Sequence, residues 1–502
     1  MTIKEIMQLR DKEEQSAILN RLKQGRSQAL PKPELSNKDL DPLLHDIHDP
    51  GKRPDKLVRA DAEDNTMKDN QNLINITGTD PAKEGQFKPV PVARIALAIQ
   101  QLIVNRAVAF LFGNPPTQQA DPREGTKEDE VLASLQRVLQ TTKAKTINRQ
   151  VARTVFEYTE AAEYWYTVKQ AENENIYGFD SPFKLRCTIF SPTKGDTLYP
   201  YFNTDGDMIA FSREFDIKQT DTADEGKTTT IHYFETYTAD ALYRWKIEQG
   251  KWEIDEGYPK KNPIGKIPVV YVCQPTPEWV LVQGLIDRLE TLMSNFADTN
   301  DYHASPKIFT TGDIHGWAQK GESGAVIEGA DGATAQYLSW AQAPESVKLE
   351  IETLLRMIHT ITQTPDISFD SVKGLNLSGV ALRLLFMDAH LKVQDKAETF
   401  ETYLQRRNSI IQSYLGQMNA KDAEYVKATK TLVAEPIIQP YMIEDDTTKV
   451  ANIMAATGQK AIASRRTGVQ RLGWTKDIDA EMEEIEAQEN ASAAFDITEP
   501  TL

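Results

Sequence analysis

The sequence predicts a mainly helical α+β chain with an antiparallel β meander inserted among its helices, and three observations carry that prediction. Residues 380–415 contain no Gly or Pro and keep Leu384, Met387, Leu391, Phe400, Leu404, Ile411 and Leu415 in helical phase. After Glu160 the texture changes, and the chain becomes rich in Tyr, Phe, Thr and Ile between turns such as Asn203-Thr204-Asp205-Gly206-Asp207. Residues 278–296 and a stretch opened by Pro344-Glu345 are two helices of similar length, separated by a Gly-rich segment of short strands.

In chain order, residues 1–23 read as an amphipathic helix with Ile6, Leu9, Ile18 and Leu22 in phase. Residues 24–56 are polar and contain Pro. They read as an extended arm that buries little alone and needs neighbouring chains to order it. An apolar helix over 95–112 ends at Gly113-Asn114-Pro115-Pro116. It carries Gln100, Gln101, Asn105 and Arg106, groups that are expensive in lipid, so it is a buried helix rather than a membrane span. A further helix covers 127–158. Strands follow at 164–169, 185–190, 198–202, 208–217, 229–238 and 241–246, and 267–272 ends the meander.

The helix over 278–296 puts Val282, Ile286, Leu289, Met293 and Phe296 on one stripe and Asp287, Glu290 and Asn295 on the other face. Short strands are expected at 307–311, 325–328 and 336–339. In the second helix of the pair Val347, Ile351, Leu354, Leu355, Ile358 and Ile361 form the stripe, which stops at Thr364-Pro365. A loop over 366–379 leads into the long helix, whose 36 residues span roughly 54 Å at about 1.5 Å per residue. From Glu444 the chain reads as two or three short helices with an acidic ending.

At 502 residues the chain needs two or more subdomains. A net charge of −17 argues against a sequence-specific reader of nucleic acid, which needs basic patches to neutralise phosphates. It suits a wall along which a polyanion slides. Cys187 and Cys273 lie in apolar stretches and read as buried, reduced thiols. The N-terminus has no apolar signal core.

Motifs that carry chemistry are missing or incomplete. Gly226-Lys227-Thr228 ends like a phosphate-binding loop, but the earlier Gly is replaced by Asp221 and a strand follows rather than a helix. Asn203–Asp207 lacks the remaining ligands of a calcium loop and reads as an Asp-Gly hairpin turn. His45 and His48 sit in the arm, and no other histidine shows ligand spacing. No nucleophile elbow or zinc-protease signature is present, so no catalytic residue, metal or cofactor is assigned. A nucleotide-dependent enzyme built on Gly226–Thr228 and a head-completion protein are the rival readings. The long helix disfavours the second.

The order helix, small β insertion, helix, Thr-Pro-Asp loop and long helix resembles the portal proteins of tailed bacteriophages, in the branch with long tails and Gram-positive hosts. Four stretches carry the resemblance: residues 282–298, Thr362-Gln-Thr-Pro-Asp-Ile with Leu377-Ser-Gly-Val-Ala-Leu, residues 92–116 ending in Phe-Leu-Phe-Gly-Asn-Pro-Pro, and Ile462-Ala-Ser-Arg-Arg-Thr with residues 477–486. The arm before residue 60 has no counterpart.

The resemblance implies a portal fold with wing, stem, clip and crown around an axial tunnel. It places arm and wing at 1–277 and 380–443, the stem helices at 278–302 and 344–364, the clip at 303–343, the tunnel loop at 365–379 and the crown at 444–502. It implies a dodecameric ring at one capsid vertex of the virion, assembled in the host cytoplasm. Its partners would be double-stranded DNA, the terminase large subunit, a head–tail adaptor, and the major capsid and scaffolding proteins, with no membrane. Asp366, Ser368, Asp370, Lys373, Gly374, Asn376 and Gly379 would face DNA from the tunnel loop. Lys307, His315 and Lys320 of the clip would dock the terminase or adaptor, and the two lysines, with Lys373, would touch phosphate.

Overall fold

The computed structural model describes residues 12–25, 32–59, 87–220, 228–248, 250–304, 307–311, 332, 334–338, 343–366, 384, 386–441, 446–458, 461–475 and 477–496. The chain divides into two compact units, Met1–Thr364 with Leu391–Pro440 and Pro365–His390 with Tyr441–Leu502.

The first unit opens with α1 (Lys12–Gln24), which lays Ile18, Leu19 and Leu22 against Phe234 and Trp245 of the large sheet. α2 (Pro33–Leu40) starts on a proline, whose ring fits the first helical turn, and runs on into the 3-10 turns Pro42–Leu44 and Asp46–His48. The expected free arm is therefore corrected for residues 33–48: these fold onto the chain's own helices, where polar side chains receive them. Trp279 Nε1 donates to Asp39 at 3.1 Å, and Gln101 Nε2 donates to the Leu40 carbonyl at 2.7 Å.

β1 (Lys56–Arg59) pairs antiparallel with β2 (Phe87–Val90). α3 (Ile99–Phe112) stops where the Gly-Asn-Pro-Pro run predicts, and Arg149 donates to the freed carbonyls of Phe112 and Gly113 at 3.0 and 3.1 Å. It begins four residues later than expected. After β3 (Thr117–Ala120), the expected single helix over 127–158 is two, α4 (Glu128–Thr141) and α5 (Ala144–Tyr158). The break has a local cause. The hydroxyls of Thr141 and Thr142 both donate to the Val138 carbonyl, and Lys143 turns left-handed at φ 58°.

The strands are β4 (Glu160–Glu174), β5 (Ser181–Phe190), β6 (Thr197–Phe202), β7 (Met208–Thr220), β8 (Thr228–Tyr237), β9 (Ala241–Glu248), β10 (Lys251–Ile254), β11 (Lys260–Lys261) and β12 (Val269–Cys273). The expected single meander is two sheets. One has six strands in the order β10-β9-β8-β7-β6, with β11 on β9, and the other is β12-β4-β5. They share one core, in which Ala162 and Phe190 of the small sheet meet Leu198, Phe211 and Tyr237 of the large one. The Asn203–Asp207 segment is the turn expected, with the Asn203 Oδ1 accepting from the amides of Asp205 and Asp207 at 3.0 and 2.8 Å. Cys187 and Cys273 are not joined in a disulfide, and each is half-buried rather than fully buried as expected.

The rest of the chain is α6 (Gln283–Ala304), β13 (Lys307–Thr311), β14 (Thr334–Leu338), α7 (Ala343–Ile361), α8 (Met387–Met418), α9 (Ala423–Thr431) and β15 (Ala434–Ile437), which pairs antiparallel with β3. The expected strand at 325–328 and the expected start of the long helix at 380–383 lie outside the described residues. α8 has 32 residues, about 48 Å of helix. Phe400 on α8 meets Phe112 and Phe156 edge-on at 5.5 and 5.8 Å. Two turns on, buried Arg407 pairs with Glu163, with Nε to Oε2 at 2.8 Å, and donates to Asn148 Oδ1 at 2.6 Å. Trp165 Nε1 also donates to that carboxylate, at 3.0 Å, so the buried charges have partners on every side.

In the second unit α10 (Asp446–Thr457), α11 (Arg465–Leu472) and α12 (Ile478–Asp496) are the short helices expected after Glu444. Gly468 lets α11 approach Ile453 and Thr457 closely, and Ser464 caps α11 by accepting from the Thr467 amide.

Candidate functional site

The helix pair α6 and α7 is the feature around which the first unit is arranged. α6 buries Ile286, Leu289 and Leu292 on its apolar stripe. Its polar face, expected to meet solvent or a channel, is covered only along the row Glu290, Ser294 and Asp298, while Asp287 and Asn295 stay exposed. Residues 91–98 run extended and antiparallel to the helix. The amides of Ala93, Ile95 and Leu97 donate to Asp298 Oδ1, Ser294 Oγ and Glu290 Oε1 at 2.8, 2.9 and 2.8 Å. The spacing matches: two extended residues advance about 6.6 Å and four helical residues about 6 Å. These bonds are why 95–98 are not helical. The amides of Ile95 and Leu97 are taken by side chains some two hundred positions away.

The same acceptors hold the N-terminal residues. Buried His45 lies 2.7 Å by Nδ1 from Glu290 Oε1 and 2.8 Å by Nε2 from the Asp39 carbonyl. The Glu290 carboxylate and the Asp39 carbonyl offer an acceptor to each ring nitrogen, a setting that favours the imidazolium form. Burial pulls its pKa down, but Glu290 and the Asp39 carbonyl raise it above the ordinary value. Arg53 reaches Asp298 at 2.9 Å and Asn295 at 2.9 Å.

α7 is served very differently. Arg288 of α6 pairs with Glu350 at 2.8 Å, an exposed contact. Of the expected apolar stripe only Ile358 is buried. Val347, Ile351, Leu354 and Leu355 are half-buried, and Ile361 is exposed. Leu349 and Met357, outside that stripe, are 65% and 49% exposed.

Where α7 ends, a buried charge cluster gathers three parts of the chain. Lys392 of α8 donates to the Thr362 carbonyl at 2.9 Å and pairs with Glu278 at 2.7 Å. Lys396, one turn on, pairs with the other Glu278 oxygen at 2.5 Å. Thr362 Oγ1 donates to the Ile358 carbonyl and meets Thr364 Oγ1 at 2.6 Å, while the Thr364 amide donates to His359. Burial pushes the Glu278 carboxyl up, but the two lysines more than offset it and hold its pKa below the ordinary value. For Lys392 burial prevails, and its pKa is lowered despite Glu278. Sequence reasoning singled out neither lysine. Both look like solvent-facing positions of a long helix, and only the three-dimensional meeting with Glu278 marks them.

Across residues 87–494 the chain matches the family model described as phage portal protein, SPP1 Gp6-like. The chain belongs to the SPP1 Gp6-like phage portal family. Among curated proteins, none matches. Among solved structures, the chain is similar to the neck of an empty gene transfer agent particle computed with C6 symmetry, with 10% identity and a TM-score of 0.37, covering 75% of this chain and 89% of that one. It is also similar to a chain of the virion of a native gene transfer agent particle, at 9% identity and a TM-score of 0.37 over 75% and 89%.

As a portal protein of this family, the chain was expected to present two groups of site residues. Lys307 opens β13, which pairs antiparallel with β14, placing Lys307 opposite Leu338. Asp366 is exposed just beyond the Thr362–Thr364 contact. His315, Lys320, Ser368, Asp370, Lys373, Gly374, Asn376 and Gly379 lie outside the described residues, as do Gly226 and Lys227. Thr228 opens a strand.

Proposed function

We propose that this portal protein assembles as a closed homo-oligomeric ring, dodecameric as the resemblance implies, around double-stranded DNA bound without sequence preference. The observation that carries the reading is the open face of α7. One chain leaves Leu349, Met357 and Ile361 exposed beside a half-buried row, and a second copy of the stem would cover them.

In this reading residues 278–302 and 344–364 are the stem, 303–343 the clip and 444–502 the crown. Residues 1–277 and 380–443 form the wing, and the loop at 365–379 turns Asp366, Ser368, Asp370, Lys373, Gly374, Asn376 and Gly379 toward DNA. The clip, with Lys307, His315 and Lys320, docks the terminase large subunit during packaging and then the head–tail adaptor. Capsid and scaffolding proteins surround the ring at one vertex of the virion, after assembly in the host cytoplasm. An acidic ring wall repels the duplex and lowers friction. The chain itself hydrolyses no nucleotide; the motor does.

Negative-stain imaging with particle mass from light scattering tests this on the purified protein. Rings with a central hole and the mass of about a dozen subunits are expected. A monomer or dimer that persists across salt and concentration would overturn the ring.

A further inference from the structure

The charge cluster at the end of α7 has a topological role that its energetics alone do not explain. Residues 365–390 leave the first unit after Thr364 and return at Leu391. Lys392, 8% exposed, is the residue next after the return at Leu391, and its ammonium is bonded to the Thr362 carbonyl, two residues before Thr364. The same ammonium holds Glu278, which itself is fixed by its amide donating to the Phe156 carbonyl at 3.1 Å. Lys396 holds the second Glu278 oxygen and reaches Gln274 Oε1 at 3.2 Å.

The chemistry suits that place. The last carbonyls of a helix have no partner within the helix, and its C-terminus favours a cation. A lysine offers three donors from one point charge, enough to bind a carboxylate and a carbonyl together. Replacing a buried ion pair by apolar groups is often neutral for stability, so stability alone does not call for this arrangement.

We propose that Lys392 is a positioning residue of the portal: it staples the two ends of the 365–390 excursion, which contains the loop at 365–379, to each other and to Glu278, and so fixes where that excursion leaves and re-enters the first unit. The functional half of this inference rests on reading that loop as DNA-facing; the staple itself does not.

The experiment compares wild type, Lys392→Met, Lys392→Arg and Val131→Ala, the last a control in the buried core of α4. Amide hydrogen exchange of residues 362–364 and 391–393, ring mass, melting temperature and nuclease-protected DNA in filled heads are measured for each. In K392M exchange at both ends of the excursion is expected to speed up about tenfold or more. Ring mass stays unchanged and retained DNA falls. K392R restores both readouts in part. V131A loses melting temperature but keeps slow exchange at both ends and keeps its DNA. Unchanged exchange in K392M overturns the staple. Faster exchange with full DNA retention, or an equal DNA loss in V131A, overturns the positioning role. Absence of rings in wild type would sink the proposed ring instead, and the exchange data would still decide the staple.

Discussion

The helices α6 and α7 have similar lengths and similar amphipathic patterns, yet the molecule treats them in opposite ways. α6 has its apolar stripe in the core and one row of its polar face, Glu290, Ser294 and Asp298, bonded by residues 93–97, His45 and Arg53. α7 is held at its end by Lys392 and on its flank by the exposed Arg288–Glu350 pair, with most of its apolar stripe only half-buried. The difference teaches that an amphipathic pattern says how much a helix must bury, not whether its own chain supplies the cover. In the proposed ring, α7 is the helix that a second copy would cover.

The hardest blow to this contrast is Glu290→Ala. It strands His45 as a buried cation and frees the Leu97 amide, so a loss of about 3–5 kcal/mol in denaturant unfolding is expected. A loss below about 1 kcal/mol would mean that α6 is held by its apolar stripe alone.

Leu349→Asp combined with Met357→Asp should do the reverse. The isolated chain changes by about 0.5 kcal/mol or less, because both side chains are exposed. Particle mass should drop to that of small species. Intact rings from this variant would place the subunit contact elsewhere.

Acidity sharpens the contrast next. The folded pKa of His45 lies above its ordinary 6.5, so its contribution is complete below 6.5 and is lost as the pH rises through the folded value. The folded pKa of Glu278 lies below its ordinary 4.5, so its contribution is present above 4.5 and is lost as the pH falls through the folded value. Melting temperature should therefore decline on both sides, and His45→Gln should flatten the alkaline side while leaving the acid one. A wild-type alkaline decline that survives in H45Q would assign it to another group.

The smallest effect belongs to Arg288→Ala. Arg288 and Glu350 are exposed, so thermal unfolding should shift by no more than about 0.2–1 kcal/mol. A larger loss would show that α7 depends on α6 more than its burial suggests.

Local pattern made part of this legible. The Pro-opened start of α7, the stop of α3 and the Asp-Gly turn all depend on residues within a few positions, and each lies where the sequence places it. The stretch at 95–98 misled because its apolar pattern continues the helix locally, whereas the amides of Ile95 and Leu97 are claimed by Ser294 and Glu290. The meander misled because β12 returns to β4 across the whole large sheet, a pairing with no local mark. Glu278, Lys392 and Lys396 were invisible as a set for the same reason, being common surface residues that become a site only when three segments meet.

The bonds between residues 91–98 and α6 amount to a toothed rail. Teeth on the chain recur every two residues, and sockets on the helix recur every four. With α3 held in place, a single residue inserted between Leu97 and Ile99 would turn every amide away from its socket. Two inserted residues would bring the teeth back into mesh one socket along, carrying the preceding β strand with them by about one helical turn. Length changes in this stretch should therefore be tolerated in pairs and rejected singly.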